Sequence, residues 1–206
     1  SSDGSIVAIG AGGNNGNGDN SGHVRVFQYQ VISGTATWTQ LGSDIDGEAA
    51  GDSSGNGLAL SSDGSIVAIG ARNNDGNGDN SGHVRIFQYQ VISGTATWTQ
   101  LGQDIDGEAA SDKSGGKVFL SSDGSRVAIS SSLNDGNGNS SGHVRIYDYN
   151  GSAWVQVGTD IDGEAAGDLS GFGMSLSSDG SRVAIGAINN DGANGADSGH
   201  VRVYSI

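Results

Sequence analysis

Residues 1–60 and 61–120 of this chain align without a gap and differ at only 11 of 60 positions, so the fold is built from a repeated unit. Repetition at this period limits the answer to solenoids, propellers or helical arrays, because one unit cannot bury its own apolar face and must stack on the next. A third copy, 121–176, is four residues shorter. The loss falls between Tyr147 and Trp154, in a stretch equivalent to Phe87–Trp98. A fourth copy, 177–206, covers about half a unit and carries one extra residue between Ala187 and His200. Length changes confined to such loops mark a rigid scaffold.

Each full copy resolves into four short strands. The first is Gly57–Ser61, Lys117–Ser121 or Gly173–Ser177, and Asp-Gly follows at 63–64, 123–124 or 179–180, a strong hairpin signal. The second is Ser65–Ala71. The third, His83–Tyr89, alternates so that His83, Arg85, Phe87 and Tyr89 share one face while Val84, Ile86 and Gln88 share the other. The fourth is expected as one strand, Thr97–Ile105. No stretch keeps a 3.6-residue period between helix caps. With 38 Gly and no Pro, the composition suits many strands joined by glycine turns. The expected fold is all-β, a β-propeller of four-stranded antiparallel blades. The chain supplies three strands, two complete blades and three more strands, about three and a half blades in one domain over 1–206.

The run Asp162–Gly192, DGEAAGDLSGFGMSLSSDGSRVAIGAINNDG, resembles the FG-GAP repeats of integrin-α-type propellers, in their bacterial and algal variant. Phe172-Gly173 supplies the FG, and Gly186-Ala187, followed by Ile188, stands where that family has GAP. The other copies carry Asn56-Gly57 and Gly116-Lys117 at the FG position. The resemblance spans the whole chain and implies a ring of seven blades. The chain is therefore expected to be a piece of a longer protein, half of a ring closed by a second copy, or a subunit adding head to tail.

Net charge is −14 with 9 Lys+Arg, which argues against a nucleic-acid partner. Without Cys there is no disulfide framework, zinc-thiolate site or thiol nucleophile. No apolar run is long enough to span a membrane.

The Asp/Asn/Gly loops are the first candidate site. Asp75, Asn77, Asp79 and Ser81 present oxygens at alternate positions between glycines, a pattern suited to Ca²⁺. The equivalents are Asn15, Asn17 and Asp19 in the first copy, Asp135, Asn137 and Asn139 in the third, and Asp191, Asn194 and Asp197 in the fourth. The competing reading is that these residues build Asx-turns in a strand connection. A second acidic run, Asp104, Asp106, Glu108 and Asp112, recurs at 44–52 and 160–168 and is expected to be a connector whose carboxylates accept backbone N–H bonds, with another cation site or a paired-carboxylate acid/base as the alternative. His23, His83, His143 and His200, each followed by Val-Arg, are expected to make a structural hydrogen bond. Trp38, Trp98 and Trp154 are expected to fill blades, with sugar stacking as the alternative. Asn139 and Asn150 open N-glycosylation sequons. There is no nucleophile–His–acid set and no cofactor fingerprint. The function expected is a non-enzymatic module, secreted or at the cell surface, for adhesion, binding or structural assembly. Its partners would be a protein or glycan ligand, or copies of itself through open blade edges. The alternative is a carbohydrate-binding, lectin-like propeller.

Overall fold

A computed structural model describes residues 1–192 and 195–206, and within them every regular element is a strand. The first sheet holds β1 (Ile6–Ala11), β2 (His23–Ile32), β3 (Thr35–Gln40) and β4 (Ile45–Asp46). The second holds β5 (Gly57–Leu60), β6 (Ile66–Ala71), β7 (His83–Ile92), β8 (Thr95–Gln100) and β9 (Ile105–Asp106). The third repeats that order as β10 (Val118–Leu120), β11 (Arg126–Ser131), β12 (His143–Tyr149), β13 (Trp154–Gln156) and β14 (Ile161–Asp162). The fourth has β15 (Ser170–Leu176), β16 (Arg182–Ala187) and β17 (His200–Ser205). All strand pairs within these sheets are antiparallel, and strands consecutive in sequence pair with each other except β4, β9 and β14, which pair with β2, β7 and β12.

The tract expected as one fourth strand is two. β8 pairs with the far half of β7, Phe87–Ile92, and β9 pairs with its start, His83–Val84. Between them Leu101 donates its N–H to the Ile86 carbonyl, and the chain steps sideways so that both pieces share one partner. The hairpin β7–β8 turns on Ser93-Gly94, both with positive φ, the turn whose twist matches the strands it joins.

The sheets stack in a propeller-like fan. β5 lies beside β1 on one side and β10 on the other, so these short strands form the inner edge. A ladder of backbone bonds crosses that edge, from Ser2 N–H to Ser62, from Ser62 N–H to Ser122 and from Ser122 N–H to Ser178. The faces fill the seams as the alternation predicts. Val84 and Ile86 pack with Val118, Val127 and Ile129 of the third sheet. Phe87, on the opposite face, packs with Val24 and Val26 of the first. A third seam joins Val144 and Ile146 to Val183 and Ile185. Trp98 also fills a seam, donating its indole N–H to the Leu41 carbonyl at 2.8 Å, and Trp154 does the same to Leu101. Buried aliphatic side chains of this size contribute about 1.5–3 kcal/mol each, so the seams hold the stack together.

The sequence copy and the sheet are out of step by one strand. Gly57–Leu60 closes the first copy yet forms the inner strand of the second sheet, pairing with Leu60↔Val67 and Gly57↔Gly70 in register.

Candidate metal centres between the sheets

Every third strand opens with His-Val-Arg because the alternation must place Val in one seam and send His and Arg to the other. His83 begins β7 opposite Ala71 and Asp106, fully inside the seam with the first sheet. There its Nδ1 lies 3.8 Å from Glu48 Oε2 and 3.9 Å from Asp104 Oδ2. Glu48 comes from the connector that leaves the first sheet, so the cluster spans two sheets. The next seam repeats the set, with His143 Nδ1 at 3.7 Å from Glu108, 3.9 Å from Asp160 and 4.0 Å from Asp162. In the last seam His200 Nδ1 is 3.5 Å from Glu164. In the first sheet His23 faces Asp44 at 3.5 Å and Asp46 at 4.0 Å. Three of these groups, His23/Asp44/Asp46, Glu48/His83/Asp104 and Glu108/His143/Asp160, bring their ligand atoms within 4.8 Å of one another.

The arginine two residues on positions the glutamate. Arg85 donates through Nη2 to the Asp46 carbonyl at 2.7 Å and through Nη1 to Glu48 at 3.4 Å, and its guanidinium sits over the Phe87 ring. Arg145 and Arg202 make the equivalent bonds to the Asp106 and Asp162 carbonyls. Gln100 and Gln156 donate to Asp104 and Asp160 from the other side. The first sheet departs from the pattern, since Arg25 and Gln40 both turn onto Asp44 and hold its carboxyl below the usual range.

The expected structural hydrogen bond of the histidines is not made. His143 is 1% exposed, and neither ring nitrogen has a hydrogen-bond partner. Nε2 of His83 and of His200 is likewise unpartnered. At 3.7–4.0 Å the carboxylates are beyond hydrogen-bond reach of Nδ1. Burial, reinforced by the neighbouring Arg, lowers the pKa of His83 and His143, and the surrounding carboxylates only partly oppose it. Both rings are therefore neutral at pH 7, the form that ligates metals. The glutamates and aspartates are half exposed, so each group is closed behind by His and open to water in front.

The Asp/Asn/Gly loops lie above these groups and hold their connectors. Asn77 donates through Nδ2 to the carbonyls of Gly107 and Glu108, Asn17 does so to Gly47 and Glu48, and Asn137 to Gly163 and Glu164. Asp75 Oδ1 accepts from Asn80 N–H and Asp135 Oδ1 from Ser140 N–H, both at 2.7 Å. Asp191 Oδ1 accepts from Asp197 N–H at 2.8 Å. Ser81 Oγ accepts from Asn77 N–H and donates to the Asn74 carbonyl. Asp79 accepts from the Asn80 amide, and Asp19 accepts the Gly51 N–H at its backbone carbonyl. Asn194 lies outside the described residues. Each loop thus clips the segment that delivers Glu48, Glu108 or Glu164. Of the connector carboxylates, Asp52, Asp112 and Asp168 do accept backbone N–H bonds, from Ala49, Ala109 and Ala165.

No protein-family model matches the chain, and no curated protein does. Among solved structures it is similar to the Pseudomonas aeruginosa periplasmic gluconolactonase PpgL, at TM-score 0.42 and 14% identity over 98% of this chain and 69% of that one. The expectation of a non-enzymatic adhesion, assembly or sugar-binding module finds no support in that comparison, which names a gluconolactonase, and a likeness this distant assigns no activity to the chain. The sequence offers no nucleophile–His–acid set; the seams bring histidine and acid together, with no nucleophile among these groups. No helix among the described residues is long and apolar enough to cross a membrane.

Proposed function

We propose that the chain is a divalent-cation-binding β-propeller segment whose sheets are blades, with one ion held at each blade junction by Glu, His and Asp. The observation that carries this reading is His143, buried and neutral with an unpartnered Nδ1 ringed by three carboxylate oxygens at 3.7–4.0 Å. A buried polar atom without a partner is costly, and an ion drawn between these groups would satisfy it. One imidazole with two or three carboxylates suits the borderline ion Zn²⁺, or Mn²⁺ through its carboxylates, better than Ca²⁺, which prefers oxygen alone. An ion there would tie the connector of one blade to the strand of the next and keep water on its open side, where it supplies Lewis-acid chemistry. The registers Gly57↔Gly70 and Gly173↔Gly186, which pair the FG-position glycine with that of the GA, support placing these blades with FG-GAP repeats.

Titration of the chelator-stripped chain with Zn²⁺ and with Mn²⁺, followed by calorimetry and thermal melts, tests this. Saturation at a hundredfold excess over Kd should raise stability by about 2.7 kcal/mol per occupied site. His143→Ala with Glu108→Gln should remove one bound equivalent and leave the others. No heat and no change in melting temperature with either ion would sink the reading.

A further inference from the structure

Some of the positions at which the repeats differ converge on one place. Of the 11 differences between the first two copies, three fall at residues 72, 116 and 117. All three line one cavity of about 200 Å³, together with Asn56, Ser130, Ser132 and Phe172. Three sheets contribute. β5 runs toward the serine ladder and β6 runs away from it, so Asn56 and Arg72 lie at the end of the inner edge remote from the ladder. Lys117 and Ser132 of the third sheet, and Phe172 of the fourth, lie at the same end.

Each of the chemistry-bearing side chains is unique to its copy. Arg72 has Gly12, Ser132 and Ile188 as equivalents, Lys117 has Gly57 and Gly173, and Phe172 has Asn56 and Gly116. Arg25, Arg85, Arg126, Arg145 and Arg202 all pair with a carboxylate. Arg72 and Lys117 have no side-chain hydrogen bond or ion pair among the described residues, in a chain of net charge −14. Phe172, 51% exposed, offers its ring to the same space.

We propose that this cavity binds a small organic carboxylate, its anionic end on Arg72 and Lys117 and an apolar face against Phe172. A guanidinium takes a carboxylate in a bidentate fork, an ammonium adds a point charge, and these two cations have no counter-ion among the described residues of an acidic molecule. The cavity is smaller than the ~300–1,000 Å³ of drug-sized sites, so the ligand is small. It stands apart from the seam histidines and does not depend on a bound metal.

Benzoate and inorganic phosphate, titrated separately into the full chain by calorimetry, test the assignment. Arg72→Gly and Lys117→Gly install residues that the first copy already carries at these places, so the fold should tolerate them, and thermal melts check that it does. Benzoate should bind saturably, each variant should weaken it by about tenfold or more, and the double variant should abolish it. Phe172→Asn, the residue of the first copy, should weaken benzoate and leave phosphate unchanged. Absence of saturable benzoate binding, binding of phosphate alone, or benzoate affinity indifferent to Arg72→Gly with Lys117→Gly would each overturn the proposal.

Discussion

Four aspartates carry the sharp turns at the inner edge, and they make the acid limit of this fold calculable in sign. Asp63 Oδ1 accepts from Ser65 N–H and from the hydroxyls of Ser61 and Ser65, while Ser61 Oγ accepts the Ile66 N–H. The same set forms at Asp3, Asp123 and Asp179. Bonds to the charged form lower all four carboxyls, Asp3 and Asp179 to about 2. A carboxyl held below its unfolded value of ~3.9 contributes stability above that pH and loses it as the pH falls through the folded value. Melting temperature should therefore fall between about pH 4 and pH 2, and Asp63→Asn with Asp123→Asn should flatten that slope. A decline that begins above pH 5 and ignores these substitutions would place the acid lability in other groups. The turn itself was legible, since Ser-Ser-Asp-Gly-Ser recurs four times. The cluster around His83 was not, because Glu48 and His83 belong to different copies and meet only when sheets stack.

At the scale of the strand, backbone contact sets the sheet spacing. A Cβ on Gly70 would run into the Gly115 carbonyl of the next sheet, whereas one on Gly186 would find its nearest atom at an ordinary 3.5 Å. Gly70→Ala should cost about 1–3 kcal/mol or more in urea unfolding, as overpacking of backbone against backbone does, and Gly186→Ala well under that. Equal costs would mean that the seam yields freely. Ser130 already occupies the Gly70 position in the third sheet, and the inner strand that faces it, β15, carries a bulge between Ser170 and Gly173. Alternation in HVRIFQY gave away which seam each face enters, because a strand has only two faces. Thr97–Ile105 misled because it contains no Asn-Gly or Asp-Gly pair to mark Leu101–Asp104, where the chain changes position along β7. The convergence of Arg72, Lys117 and Phe172 needs three sheets in place, and no single copy shows it.

The outermost faces of the fan repeat the seam chemistry without a neighbour. Ile9 is 51% exposed where its equivalent Ile69 is buried, and Val203 is 66% exposed where Val26 and Ile86 are buried. Ser178 N–H donates to no further rung of the ladder among the described residues, and the Ser2 carbonyl accepts none. The last face is therefore built like the face each inner sheet presents to the next, and a second copy of this segment docked end to end would match it. Light scattering of the 206-residue chain should show association that rises with concentration and that Val203→Asp weakens. A monodisperse monomer throughout would show that these faces do not recognise each other. The one-strand offset between copy and sheet bears on how such a gene changes length. A crossover between equivalent points of two copies adds or removes 60 residues and leaves every inner strand with a sheet to join. Tandem duplication can therefore lengthen or shorten the fan in whole steps without orphaning a strand, and recombinants of the near-identical first two copies would be born foldable.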